Sequence, residues 1–214
     1  MDQTELLREV VVSALNDGRH LKVCGQGSKR HYLPEISAEM VSTVEHTGIV
    51  ALEPEELVVT VRAGTPLKVL RQELARGRQM LGAEPPEFSG LGTVGGALGS
   101  GFSGPGRPWR GSLRDSVLGI EVINGKGELL KFGGQVMKNV AGYDVSRLNV
   151  GAFANLGLIL QASLRLAPQP DHSRTLCYEL DGDRILRKNT CVFGPDDLYC
   201  SMWHLLGLAG ITKW

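Results

Sequence analysis

Residues 85–115 read PPEFSGLGTVGGALGSGFSGPGRPWRGSLRD, and glycine recurs in them at positions 90, 92, 95, 96, 99, 101, 104, 106 and 111. Each glycine gives up roughly 0.5–1 kcal/mol of stability relative to alanine when it is ordered in a helix or strand. A chain tolerates such density for one of three reasons: it is a linker, it needs positive φ repeatedly, or it lays bare backbone against something large and polar. Flexible linkers are monotonous, whereas this stretch is interrupted by Thr93, Val94, Leu98, Phe102, Trp109, Arg110 and Arg114. Residues Gly92, Thr93, Val94, Gly95 and Gly96 read as a turn feeding a short helix. Unpaired N–H groups would point outward there, with no side chains where an anion approaches, which is how a phosphate cradle is built. Close packing of a glycine-rich loop without any ligand is the alternative.

Upstream, residues 2–15 predict a helix. Leu6, Leu7, Val10, Val11, Ala14 and Leu15 form its apolar stripe, Asp2 and Glu5 form a capping box, and Asn16-Asp17-Gly18 stops it. Residues 21–24 predict a short strand that runs into Gly25-Gln26-Gly27-Ser28-Lys29-Arg30. A strand ending in Gly-x-Gly-Ser with two cations behind it is a second phosphate-loop candidate, and two such loops in one domain are stronger than either alone. Residues 40–44 and 57–62 read as strands. Thr65 and Pro66 then open a helix as N-cap and first position, Leu67, Leu70 and Leu74 face the core, and Gly77 ends it. Residues 1–80 thus predict a small α+β unit.

Downstream, residues 117–123 and 128–132 flank Asn124-Gly125-Lys126-Gly127 and predict a hairpin, because Asn-Gly accepts the positive φ of such turns. Residues 137–148 predict a turn and short helix. Alternation from Leu158 to Leu166 predicts a long half-buried strand ending at Pro168. Beyond residue 170 only 175–180 reads as a strand.

The chain has 214 residues, with Lys+Arg and Asp+Glu both 23 and a formal net charge of +0. Nothing here recruits nucleic acid by charge. No signal peptide or long apolar span is evident, and Cys24, Cys177, Cys191 and Cys200 have no Cys-x-x-Cys spacing, so a cytoplasmic protein with free thiols is expected. The histidines at 20, 31, 46, 172 and 204 lack metal-ligand spacing, and no metal site is predicted. Asp196-Asp197 reads as a solvated turn, and no histidine is spaced to activate Ser112 or Ser116. Trp109 with Arg107 and Arg110 fits a bound-ligand or subunit contact better than a nucleic-acid one.

Several segments, in order, resemble the FAD-binding domain of the vanillyl-alcohol oxidase (PCMH-type) flavoproteins. They are Cys24-Gly25-Gln26-Gly27-Ser28, Thr93-Val94-Gly95-Gly96, Arg114-Asp115-Ser116-Val117-Leu118-Gly119, Gly142-Tyr143-Asp144 and Gly157-Leu158-Ile159. Within that family, residues 103–107 (SGPGR) and 135–148 (QVMKNVAGYDVSRL) are similar to the FAD-binding subunits of bacterial glycolate oxidase. The resemblance implies an α+β, two-lobed PCMH-type FAD-binding domain over residues 1–170, with lobes of about 1–85 and 86–170, and a short irregular C-terminal tail over 171–214. It implies that Gly25, Gly27 and Ser28 meet the FAD pyrophosphate from one lobe, and Gly92, Thr93, Val94, Gly95 and Gly96 from the other. Ser100, Gly101 and Asp115 would lie near the flavin or its ribityl chain, and Gly157 and Ile159 at the adenine end.

Members with covalent flavin carry histidine before the loop serine. Here Gly27 stands there, so non-covalent FAD is expected. Residues 151–156 (GAFANL) depart from the family's small, glycine-rich turn, and Ala154 and Asn155 fall where positive φ is expected. The family's substrate-side domain has no counterpart in residues 171–214, so the chain resembles a truncated member. The implied function is the FAD-binding subunit of a glycolate-type 2-hydroxy-acid oxidase or dehydrogenase complex, passing electrons to a partner. The alternative is a non-catalytic assembly subunit or remnant that keeps the fold. The expected partners are the other subunits of that complex, any membrane association would run through them, and no catalytic residue is assigned.

Overall fold

A computed structural model describes residues 1–104, 106–134 and 143–172. In chain order these form α1 (Thr4–Asn16), β1 (Leu21–Cys24), β2 (Glu39–Ser42), β3 (Ile49–Glu53), β4 (Val58–Arg62), α2 (Leu67–Arg76), β5 (Gln79–Leu81) and α3 (Val94–Ser100). After them come α4 (Arg107–Arg110), α5 (Leu113–Ser116), β6 (Val117–Ile123), β7 (Leu129–Gly133), α6 (Val145–Leu148) and β8 (Leu158–Pro168). The expected strand over 175–180, the tail, residues 135–142 of the glycolate-oxidase-like motif, and Cys177, Cys191, Cys200 and His204 lie outside the described residues.

The strand order of the larger sheet is β3-β4-β8-β6-β7, with β5 paired to the end of β8. All of its pairings are antiparallel, and β8 is hydrogen-bonded along both edges: Val59 opposes Leu164 on β4, and Ile120 opposes Ala162 on β6. The second, smaller sheet is the parallel pair β1-β2, with Leu21 opposite Glu39 and Cys24 opposite Ser42. The α+β, two-lobed architecture is therefore present, but its boundary is not where the sequence pattern puts it. Residues 1–80 are not a separate unit, because β3, β4 and β5 belong to the sheet built on β8. Periodicity identifies a strand without naming its partner, and β8, the partner of β4 and β5, lies far downstream.

The main core fills one side of the large sheet. Leu67, Leu70 and Leu74 of α2 and Leu98 of α3 are at most 1 % exposed against Val59, Val61, Val117 and Leu164. Burying a leucine fully contributes about 1.5–3 kcal/mol, so the three α2 leucines weigh heavily. A second cluster joins Leu7 and Val11 of α1 to Val41 of β2 and to Ile123, Leu158 and Leu160, and it ties the small sheet to the large one. The α1 stripe is narrower than expected: Leu7, Val11 and Ala14 are buried, while Leu6 and Leu15 are each 53 % exposed. β8 is more than half-buried, because its other face is filled by satisfied polar pairs. Thr60 Oγ1 lies 2.8 Å from Ser163 Oγ, and Gln161 Nε2 donates to Glu121 Oε2 at 2.6 Å.

Three local expectations change. The N-cap of α1 is Gln3, not a capping box on Asp2, whose carboxylate instead accepts from the N–H (3.0 Å) and hydroxyl (2.8 Å) of Thr4 and pairs with Arg62 at 2.8 Å. Thr65 does not cap α2; its Oγ1 accepts the Gly48 N–H at 2.9 Å, and Pro66 is the N-cap. In the hairpin turn Asn124 Oδ1 accepts the N–H groups of Lys126 and Glu128, and the positive φ (75°) falls on Gly127 rather than Gly125.

Gly127→Val should therefore lower stability, since a Cβ there would stand 2.4 Å from Val12 Cγ2 and the backbone is left-handed. Gly95→Val should do the same, because its Cβ would lie 2.8 Å from Ala63 Cβ. Overpacking of this kind costs about 1–3 kcal/mol. Gly125→Val, whose Cβ meets nothing within 4 Å, should be nearly neutral. Urea midpoints of the three variants check this ranking, and equal midpoints for Gly125→Val and Gly127→Val would contradict it.

His46 supplies a pH dependence. It is 2 % exposed, and its Nδ1 accepts the Gln3 N–H at 3.0 Å. Burial pushes its pKa below the ordinary value, against the opposing pull of Asp2. As pH falls past about 6.5 the unfolded chain takes up this proton first, so the stability is full above that value and is lost as pH falls through the folded one. The urea midpoint should drop between pH 7.5 and 5.5, and His46→Asn should remove most of that drop. An unchanged drop in the variant would exclude His46 as its source.

Candidate functional site

A cleft of about 400 Å³ opens where the end of β1 faces α3. One wall is the loop from Gly25 to Arg30; the opposite wall is Thr93, Gly95, Gly96, Gly99 and Ser100, with Phe153, Ala154 and Ile159 beside it. The two walls meet at Gly25, where a Cβ would sit 2.5 Å from Thr93 Oγ1, so only glycine lets the strand end come this close. Thr93 is the N-cap of α3, and its Oγ1 accepts the Gly96 N–H at 3.1 Å.

The two loops differ in what they offer. In the first, no acceptor among the described residues meets the N–H groups of Gln26, Gly27, Ser28 or Lys29, although the Gly27 carbonyl is used by the Arg30 N–H at 3.2 Å. Gly27 is left-handed (φ 76°), a backbone form that leaves amides free to meet an anion. In the second, the N–H groups expected to be unpaired are bonded inside the domain. Val94 N–H goes to the Thr65 carbonyl (2.9 Å), Gly95 N–H to Ala63 (2.7 Å) and Ala97 N–H to Thr93 (2.9 Å). Gly95 thus serves close packing, while Gly96 and Gly99 present bare backbone to the cleft.

Of the sequence-predicted site residues, Gly25, Gly27, Ser28, Thr93, Gly95, Gly96, Ser100 and Ile159 line the cleft. The other five are outside its lining. Gly92 accepts the Leu67 N–H at 2.8 Å, Val94 is buried in the core, and Gly101 is the left-handed C-cap of α3. Asp115 closes a capping box with Ser112, accepting from its N–H (3.0 Å) and hydroxyl (2.8 Å), and these bonds hold its carboxyl below the usual range. Gly157 avoids the Ile123 carbonyl, which a Cβ would approach to 2.8 Å. Gln26, Lys29, Gly99, Phe153 and Ala154 also line the cleft, outside the predicted set of cofactor-binding residues. Lys29 and Arg30 stood out as cations, but nothing in the sequence marks Lys29 as buried.

Two polar atoms in the cleft loop are buried without a hydrogen-bond partner among the described residues: Lys29 Nζ and Gln26 Oε1. A cation, four unbonded N–H groups and side-chain-free backbone suit a diphosphate, and a lone buried acceptor suits a hydroxyl or amino group. The fold and the cleft together suit a domain that holds a dinucleotide by its phosphates. The family model described as an FAD binding domain matches residues 1–133, more than half of the chain, and the chain belongs to that family. Its cofactor is FAD, which the residues of the cleft fit.

Among relatives, it is 42 % identical over 179 residues to "Glycolate oxidase subunit GlcE" of Escherichia coli (strain K12), covering 84 % of this chain and 51 % of that protein. It is 34 % identical over 131 residues to "Glycolate oxidase subunit GlcD" of Bacillus subtilis (strain 168), covering 60 % and 27 %. The chain thus spans about half the length of the first relative and about a quarter of the second. Alkyldihydroxyacetonephosphate synthase shares the fold, with a TM-score of 0.65 at 19 % identity over 78 % of this chain and 31 % of that one. No helix among the described residues is long and apolar enough to cross a membrane.

Gly99 offers a direct test of the cleft. A Cβ there would meet only the Phe153 Cα, at 3.9 Å. Gly99→Leu should leave the ligand-free melting temperature unchanged or higher, since glycine in a helix is worth about 1 kcal/mol less than alanine. FAD affinity, read by quenching of flavin fluorescence, should fall more than about tenfold, equivalent to about 1.4 kcal/mol. Undiminished affinity would place the cofactor elsewhere.

Proposed function

We propose that this chain is the FAD-binding subunit of a glycolate-type 2-hydroxy-acid oxidase or dehydrogenase complex, holding FAD non-covalently. The observation that carries the reading is the similarity over 84 % of the chain to a glycolate oxidase subunit, joined to a cleft whose free donors suit a diphosphate. The loop from Gly25 to Arg30 binds the pyrophosphate. Gly96 and Gly99 allow the cofactor to lie against bare helix, Ser100 stands near the ribityl chain, and Ile159 supports the adenine end. The five predicted residues outside the lining act through position, by fixing the ends of α3 and α5 and the turn before β8. Bound flavin supplies the redox step, accepting an electron pair from the hydroxy acid for delivery to a partner subunit. The protein's own work is to bind, orient and shield it.

Non-covalent attachment follows from Gly27 in the position before Ser28. The purified protein should be yellow, and acid precipitation should release all flavin into the supernatant. A colourless protein that takes up no added FAD would overturn the proposal. FAD at about 100 times its dissociation constant should stabilise the fold by roughly 2.7 kcal/mol. Glycolate- and lactate-dependent dye reduction by the FAD-loaded chain, alone and with the partner subunits, tests the reaction. Turnover only with partners supports a working subunit. Assembly without any contribution of this flavin to turnover supports the alternative of a non-catalytic subunit.

A further inference from the structure

Lys29 sits at the end of the cleft loop and is 8 % exposed. Its Nζ has no hydrogen-bond partner among the described residues and stands 5.5 Å from the centroid of the Phe88 ring. The carboxylate that acts on it, Glu87, is already paired with Arg71. Lys22, Arg30 and Glu35 are the other charged residues of the cleft lining. Burial pushes the Lys29 pKa down and Glu87 offsets this only in part. A buried ammonium with no hydrogen-bond partner among the described residues, held only by an aromatic face and a carboxylate engaged elsewhere, destabilises the fold that contains it. It is tolerated where something outside the polypeptide supplies the counter-charge, and the same loop carries the N–H groups of residues 26–29, which no acceptor among the described residues meets.

We infer that the Lys29 ammonium is the charge anchor for the diphosphate of the bound dinucleotide, and that the ligand-free protein is less stable because of it. The inference rests on the assignment of FAD to this cleft and goes further in naming the side chain that carries the electrostatic part of its binding. Lys29→Met keeps the length and burial of the side chain and removes its charge. The variant should melt no lower than the parent without ligand. Its FAD affinity should be about 10- to 100-fold weaker, the scale of a lost hydrogen bond to a charged group. The parent's FAD affinity should fall between 50 and 500 mM salt, and the variant's should fall less steeply.

Equal affinity in parent and variant would overturn the inference. Weaker binding with an unchanged salt slope would also overturn it, since Lys29 would then act by packing alone. Lys29→Gln repeats the comparison should the methionine variant not fold, and the parent's salt slope is measured independently of either; a flat slope excludes a charge anchor. A parent that binds no FAD at any salt concentration refutes the cofactor's placement itself, a result distinct from the loss of the lysine's role.

Discussion

The backbone of Ala63-Gly64-Thr65 is the constraint on which the cleft depends. The Ala63 N–H donates to the Leu160 carbonyl of β8 at 2.7 Å, and its own carbonyl accepts the Gly95 N–H of α3, also at 2.7 Å. The Gly64 N–H reaches the His46 carbonyl at 2.9 Å, and the Thr65 carbonyl accepts from Val94. Three residues therefore bind the large sheet, the glycine-rich helix and the segment leaving the small sheet. Such closeness leaves no room for side chains: a Cβ on Gly64 would fall within 1.9 Å of the Thr43 carbonyl. Glycine at 64 and 95 is thus a packing requirement. Its consequence is functional, because it sets α3 opposite the loop that follows β1.

Much of this arrangement was legible in the sequence. Residues 92–96 marked a turn into a short helix, Asn124 and Gly125 marked a turn, and the alternation from Leu158 marked a long strand. The loop after β1 was legible for a chemical reason, since Gly-x-Gly after a strand forces a turn that leaves amides unbonded. What could not be read is non-local. The three residues of β5 carry no period of their own, and β3 and β4 find their sheet only when β8 arrives. The same limit explains the misassignment of the α3 amides. The pattern marks where N–H groups lack helical partners, but not that Ala63 and Thr65 will come within hydrogen-bond distance of them.

Side-chain burial was the other illegible quantity. A lysine in a polar loop reads as solvated, but Lys29 is buried, and Phe88, from the glycine-rich stretch, comes alongside it. Phe88 belongs to a chain of rings: Tyr32 lies 6.1 Å from it and 4.8 Å from Phe102, which is 6.4 Å from Phe153. These edge and tilted contacts are each worth about 0.5–1.5 kcal/mol beyond area burial. They link the first loop, the glycine-rich stretch and the turn before β8, three segments that no backbone ladder joins directly. They also lower the dielectric around the loop, which strengthens any charge interaction made there.

The turn before β8 is where the sequence departs most from the family pattern. Phe153 (φ 49°) and Ala154 (φ 63°) both occupy the left-handed region without being glycine or asparagine. Residues in such conformations cost on the order of 1–3 kcal/mol each and persist only where their surroundings over-determine them. The surroundings here are explicit. The Phe153 N–H donates to the Gly99 carbonyl at 2.8 Å, the Gly151 N–H to Leu98 at 2.9 Å, and Gly101 packs against Gly151. The end of α3 therefore holds the strained turn in place, and the turn in return puts Phe153 and Ala154 into the cleft wall. An asparagine at 154 would relieve strain without altering these bonds. Alanine's shorter side chain adds no polar group to the cleft wall at this turn.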